Sequence, residues 1–160
     1  QLVDFNKDPR HLYKEFKNDT LVLLFTVTDI KKLKESSSGT SLYSKETHSI
    51  NRYKWSIWAK KKEPNTTYLG LFLFCESERK EWKVDFSYQL TLLTNDPFSD
   101  NSGICMKSAC DKIFESSVSA HRGWPQFVEL STLLDPRNDY VKDDTIRVEL
   151  LLKINSSISS

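Results

Sequence analysis

The sequence is poor in glycine, proline and cysteine and carries almost no excess of charge, and each shortage removes a class of protein. Four glycines and five prolines among 160 residues exclude collagen-like, linker-like and low-complexity chains, and with 38% apolar residues general disorder is excluded too. Gly39, Gly70, Gly103 and Gly123 stand too far apart to cradle phosphates as a dinucleotide fingerprint or a P-loop does, which removes nucleotide-dependent chemistry. With 23 basic residues against 22 acidic ones the formal charge is +1, so no whole-chain field draws nucleic acid or an anionic membrane. Any charged partner must meet a local patch. The longest strongly apolar run, Leu21 to Phe25, falls far short of the roughly 18 residues of a membrane span, which predicts a soluble chain. It opens on Gln1 and shows no signal-peptide h-region, which predicts an excerpt from a longer protein.

Metal and catalytic signals are equally sparse. His11, His48 and His121 lie in three separate segments and no Cys-x-x-Cys occurs, so no zinc site is expected. Cys75, Cys105 and Cys110 cannot all pair with one another, and a chain of 160 residues does not need stapling; free thiols and an intracellular location, cytoplasm or nucleus, are predicted. Sequons at Asn18, Asn65 and Asn155 would instead mark surface loops of a secreted protein. Ser77-x-x-Lys80 and Ser99-Asp100-Asn101 match two serine β-lactamase signatures, but the Lys-Thr-Gly element is missing, and both are coincidences. Asp143-Asp144 has the form of an acid–base pair; directly before a strand, its carboxylates instead accept turn amides. No enzyme activity and no cofactor are predicted.

What the sequence does hold is aromatic residues, 12% of the chain, arranged with a period of two. Residues 1–19 read as a lead-in, with Asp8 as N-cap, Pro9 at the first helical position, and Leu12 and Phe16 on one face of a short helix. Leu21 to Val27 is β-branched and apolar, typical of a strand, and Lys31 to Thr40 is a loop around Ser36-Ser-Ser-Gly39. From Arg52 to Lys60, Trp55, Ile57 and Ala59 share one face and Ser56, Trp58 and Lys60 the other. Tyr68 to Cys75 puts Leu69, Leu71 and Leu73 on one side, with Tyr68, Gly70, Phe72 and Phe74 opposite. The run Trp82, Val84, Phe86, Tyr88, Leu90, Leu92 is apolar at every second position. Ile104 to Phe114 is a strand of weaker pattern, Glu115 to Arg122 a loop, Val128 to Leu134 a short strand or helical turn, and Thr145 to Ile154 a final alternating strand. Short strands without a long helical period predict an all-β, seven- to eight-stranded antiparallel sandwich over residues 20–155, followed by a tail at 156–160.

Five segments in order resemble the MATH domain, also called the TRAF-C domain. They are Tyr53-Lys-Trp55-Ser-Ile57, Tyr68-Leu-Gly-Leu-Phe-Leu73, the strand opening at Trp82, Gly123-Trp-Pro-Gln-Phe127, and Asn138 to Ile146. The resemblance spans about Leu21 to Ile154 and implies a sandwich that binds short linear peptides of other proteins and performs no chemistry. By position, the family's groove would take Trp58, Lys60, Phe72 and Phe114, with His121, Arg122, Gly123 and Trp124 at its far end. Many members carry Asp-Trp-Gly-Phe where this chain has His121-Arg-Gly-Trp124. Losing that acid and gaining Arg122 beside Lys60-Lys61-Lys62 favours acidic peptides. The family implies an adaptor of the ubiquitin-pathway or signalling type, oligomerising through regions outside this chain; the alternative is an extracellular accessory sandwich of the meprin kind. Each residue also has a plainer role. Trp58 and Phe72 either lie under the Lys31 to Thr40 loop or wait for a partner, Phe114 and Trp124 would sit in the core, and the three lysines would form a solvated turn.

Overall fold

Alternation writes itself directly into burial. In the computed structural model, which describes residues 20–35, 39–61, 66–96, 105–117 and 121–159, Tyr53–Lys61 alternates buried and half-buried along its whole length. The helix expected around Asp8 to Phe16 lies outside the described residues. Among those residues, nine strands run in chain order: β1 (Thr20–Thr28), β2 (Thr40–Tyr43), β3 (His48–Ile50), β4 (Tyr53–Lys61), β5 (Tyr68–Ser77), β6 (Trp82–Leu92), β7 (Met106–Glu115), β8 (Arg122–Glu129) and β9 (Thr145–Ser159). They form two antiparallel sheets, one ordered β1-β9-β6-β7 and the other β2-β4-β5-β8, with β3 also paired to β4. Residues 156–159, read from sequence as a tail, continue β9, where Trp82 pairs with Ser159.

The core lies between the sheets. Trp55, Ile57 and Leu71 from one sheet meet Phe86, Leu90, Val148 and Leu150 from the other, all fully buried. At its centre the Trp55 ring stands edge-on to Phe86 at 5.6 Å and to Phe114 at 6.1 Å, and Phe86 and Phe114 stack at 4.9 Å.

Turns explain the aspartates and asparagines. Asn51 and Arg52 take φ of 50° and 73°, and Asp143 and Asp144 take 53° and 59°, the left-handed pairs that tight hairpins require. Lys142 and Thr145 exchange both backbone hydrogen bonds around the second turn. The Asp144 carboxylate accepts the Lys31 amide at 2.8 Å, so the acidic pair is turn chemistry. Lys31 to Thr40 is not all loop: α1 (Lys31–Glu35) buries Leu33, and the Leu33 carbonyl accepts the Lys61 ammonium at 2.9 Å. Lys61 is therefore 6% exposed and belongs to the interior rather than to a solvated turn. Its backbone shares the inward parity of Trp55, Ile57 and Ala59.

A second seam joins the sheets where β1 has its outer edge. Glu46 accepts the Thr26 amide at 2.6 Å and the Thr26 hydroxyl at 2.7 Å, the Lys45 amide donates to the Thr26 carbonyl, and His48 Nε2 donates to the Leu24 carbonyl at 2.7 Å. Burial pulls the Glu46 carboxyl upward, but the bonds from Thr26 outweigh it and hold the pKa below the ordinary 4.5. A carboxyl depressed on folding adds stability above its unfolded pKa and loses it as pH falls through the folded value. Glu46→Gln is expected to lower stability at pH 7 and to flatten the acid side of the stability profile below about pH 4.5. Urea titrations at pH 7 and pH 3 test this; equal losses at both would remove the carboxylate from the seam.

The three thiols are unpaired, as expected, and differ in environment: Cys75 is buried, Cys105 half-buried and Cys110 exposed. Burial pushes the Cys75 thiol far up and Cys105 up to about 11, so neither supplies thiolate at neutral pH. Iodoacetamide should alkylate Cys110 first and Cys75 only on unfolding, an order that timed mass spectrometry reads directly.

Candidate functional site

The outward faces of β4 and β5 carry large rings where a sheet surface is ordinarily polar. Register sets Trp58 opposite Phe72, Ser56 opposite Phe74, and Tyr43 of β2 opposite Trp58. The Trp58 ring stacks on Phe74 at 4.7 Å and receives the edge of Tyr43 at 5.3 Å. His121, entering β8, lies 5.4 Å from Trp58 and stands edge-on to Phe72 at 4.7 Å. The Lys60 ammonium sits 4.5 Å from the Trp58 centroid and 5.7 Å from that of Phe72, capping both rings with a positive charge.

Two glycines make this geometry feasible. Phe72 is 4% exposed although it points outward. A Cβ on Gly70 would come 2.7 Å from the Phe72 ring, so the ring lies over bare backbone. Gly123 faces Phe72 across the β5–β8 ladder, where a Cβ would come 2.1 Å from the Leu71 carbonyl oxygen and 2.7 Å from the Phe72 Cα. Only glycine allows β8 that close.

Four of the expected residues, Trp58, Lys60, Phe72 and His121, thus form one cluster, and Gly123 shapes its floor. The other three point elsewhere. Phe114 belongs to β7 in the opposite sheet and is buried against Trp55 and Phe86, so it is core. Arg122 pairs with Leu73 and shares its inward parity; its guanidinium donates to the Ile113 carbonyl at 3.0 Å and lies 5.7 Å from the Phe114 ring. It bridges the two sheets. Trp124, paired with Leu71, turns inward to Tyr88 at 5.3 Å and Phe127 at 6.1 Å, a plug at the sandwich edge. Burial there raises the Tyr88 hydroxyl to about 12, against a smaller opposing pull from Arg122. Tyr43 and Phe74 are the members that sequence reasoning missed. Phe74 already shared the outward parity of Phe72, whereas Tyr43, 59% exposed, became visible only once β2 was paired.

The described residues hold no cluster of three or more histidine, cysteine or acidic side chains able to bind a metal, and no helix long and apolar enough to cross a membrane. Two packed antiparallel sheets, one with an aromatic outer face, define a β-sandwich. The model of the MATH domain family matches residues 22–151, and the chain belongs to that family. MATH domains are TRAF-like protein-interaction modules. No match was found among curated protein sequences. Among solved structures, the chain is similar in fold to Notothenia coriiceps TRAF5, with a TM-score of 0.52 and 18% identity over 84% of this chain and 73% of that one.

Proposed function

We propose that the chain is the peptide-recognition module of a larger intracellular protein and that it binds short linear segments of its partners on the outer face of the β2-β4-β5-β8 sheet. The observation that carries this reading is the cluster of Trp58, Phe72, Phe74 and His121 under the Lys60 ammonium. Clustered rings on a sheet's outer face offer a broad apolar platform, and Trp adds an indole N–H donor, the combination found in interface anchors. With Arg122 turned inward, preference for an acidic residue rests on Lys60, acting on association more than on residence. The unpaired thiols of Cys75, Cys105 and Cys110 support an intracellular setting. Membership of a family of protein-interaction modules supports recruitment of partners to a ubiquitin-pathway or signalling assembly as part of this reading.

Trp58→Ala tests the reading. A peptide is first selected from an array by the 160-residue chain. Its affinity should then fall about thirtyfold in the variant, equivalent to about 2 kcal/mol, while the melting temperature drops by only a few degrees. Unchanged affinity with a large loss of stability would make Trp58 a packing residue and withdraw the face.

A further inference from the structure

A second candidate site lies at the other end of the same sheet face. The β3–β4 and β5–β6 turns meet there around a cleft of about 400 Å³ lined by Ser49, Arg52, Lys54, Ser77, Glu78 and Arg79. Two hydrogen bonds hold the turns together: the Ser77 hydroxyl donates to the Arg52 carbonyl at 3.0 Å and accepts the Arg79 amide at 3.3 Å. The backbones of the two arginines are thereby fixed relative to each other before any ligand arrives. Lys54, paired with Ser49 on β3, projects from the same outward face. Among the described residues, three cations thus line the cleft with one carboxylate. That carboxylate, Glu78, is 91% exposed and sits 3.6 Å from the Lys54 ammonium, the kind of solvated pair that a more highly charged anion displaces readily.

The geometry points to a phosphate monoester on a partner's side chain as the occupant. Guanidinium groups bind phosphate oxygens through paired N–H donors, and a tetrahedral dianion can engage two arginines and an ammonium at once, whereas a planar carboxylate monoanion engages fewer. Position favours a protein source. Lys54 and Trp58 lie four residues apart on one face of β4, about 13 Å at the strand rise, so the cleft is continuous with a surface on which an extended chain can lie. The site is separate from the aromatic cluster, and its occupancy does not depend on it.

Two-dimensional amide NMR of the 160-residue chain tests this with three probes: acetyl-Gly-phosphoserine-Gly-amide, its unphosphorylated twin, and inorganic phosphate. The phosphorylated tripeptide should shift the Lys54, Ser77 and Arg79 amides saturably, inorganic phosphate should compete for the same amides, and the twin should shift none. Arg52→Gln with Arg79→Gln should weaken the tripeptide at least fivefold without changing the melting temperature, and Trp58→Ala should leave it unchanged. Shifts spread over the basic surface generally, or binding retained in the double variant, would overturn the site. Binding to phosphoinositide vesicles without a response to the tripeptide would overturn the assignment to a phosphorylated side chain.

Discussion

Trp55→Ala is expected to destabilise the domain by about 3–5 kcal/mol, the usual cost of emptying a buried aromatic position. The ring is fully buried and touches Phe86 and Phe114 of the opposite sheet, so its removal separates the aromatic centres of both layers. Total stabilities of domains run about 5–15 kcal/mol, so the variant should be near unfolding at physiological temperature. Urea denaturation followed by circular dichroism measures the loss. A cost below about 1 kcal/mol would mean that the sheets do not pack across this ring.

Gly123→Ala is expected to cost about 3 kcal/mol, at the upper end of what inserting a methyl group into a packed site does. Its Cβ would meet the backbone of β5, at Leu71 O and Phe72 Cα, and no rotamer change can relieve that contact. β8 must therefore draw away from β5, carrying His121 off Trp58 and Phe72, and peptide binding should fall together with stability. Gly70→Ala is the control. There the closest approach is to the edge of the Phe72 ring at 2.7 Å, a side chain that can give, and the nearest backbone atom, Pro125 Cα of β8, stands at 3.0 Å against 2.1 Å at Gly123, so the loss should be smaller. Equal costs at the two glycines would show that the contact of Gly123 with the Leu71–Phe72 backbone is not the limiting one.

How much of this was legible in the sequence depends on strand length and on interruptions. β4, β5 and β6 run for 9, 10 and 11 residues, long enough for a period of two to declare both faces, and the outward set Trp58, Lys60 and Phe72 followed from parity alone. β2 and β3, at four and three residues, are too short to carry a period, which hid Tyr43. β8 has Gly123 and Pro125 in its first half, residues that read as a turn and not as a strand. In β7 the parity itself changes. The register slips by one residue opposite Ser87, where Asp111 takes a φ of 55° and its amide donates to the Ser87 hydroxyl. Ala109 and Phe114 can therefore both face inward despite their odd and even numbers, whereas the family's groove position had put Phe114 on the binding face. The placement of Arg122 needed tertiary structure, because its acceptor, the Ile113 carbonyl, belongs to the other sheet.

The stitch of Glu46 and His48 onto β1 has a meaning for neighbouring molecules as well as for this one. β1 ends its sheet, and a strand with open amides and carbonyls is a template on which another chain can add. Here the amide and carbonyl of Thr26 and the carbonyl of Leu24 are taken by Glu46, Lys45 and His48 of the same chain. Acid that protonates Glu46 would loosen that cover while β1 remains paired to β9 on its other side. The first consequence of low pH at this edge would then be self-association of folded molecules, ahead of any loss of the sandwich itself.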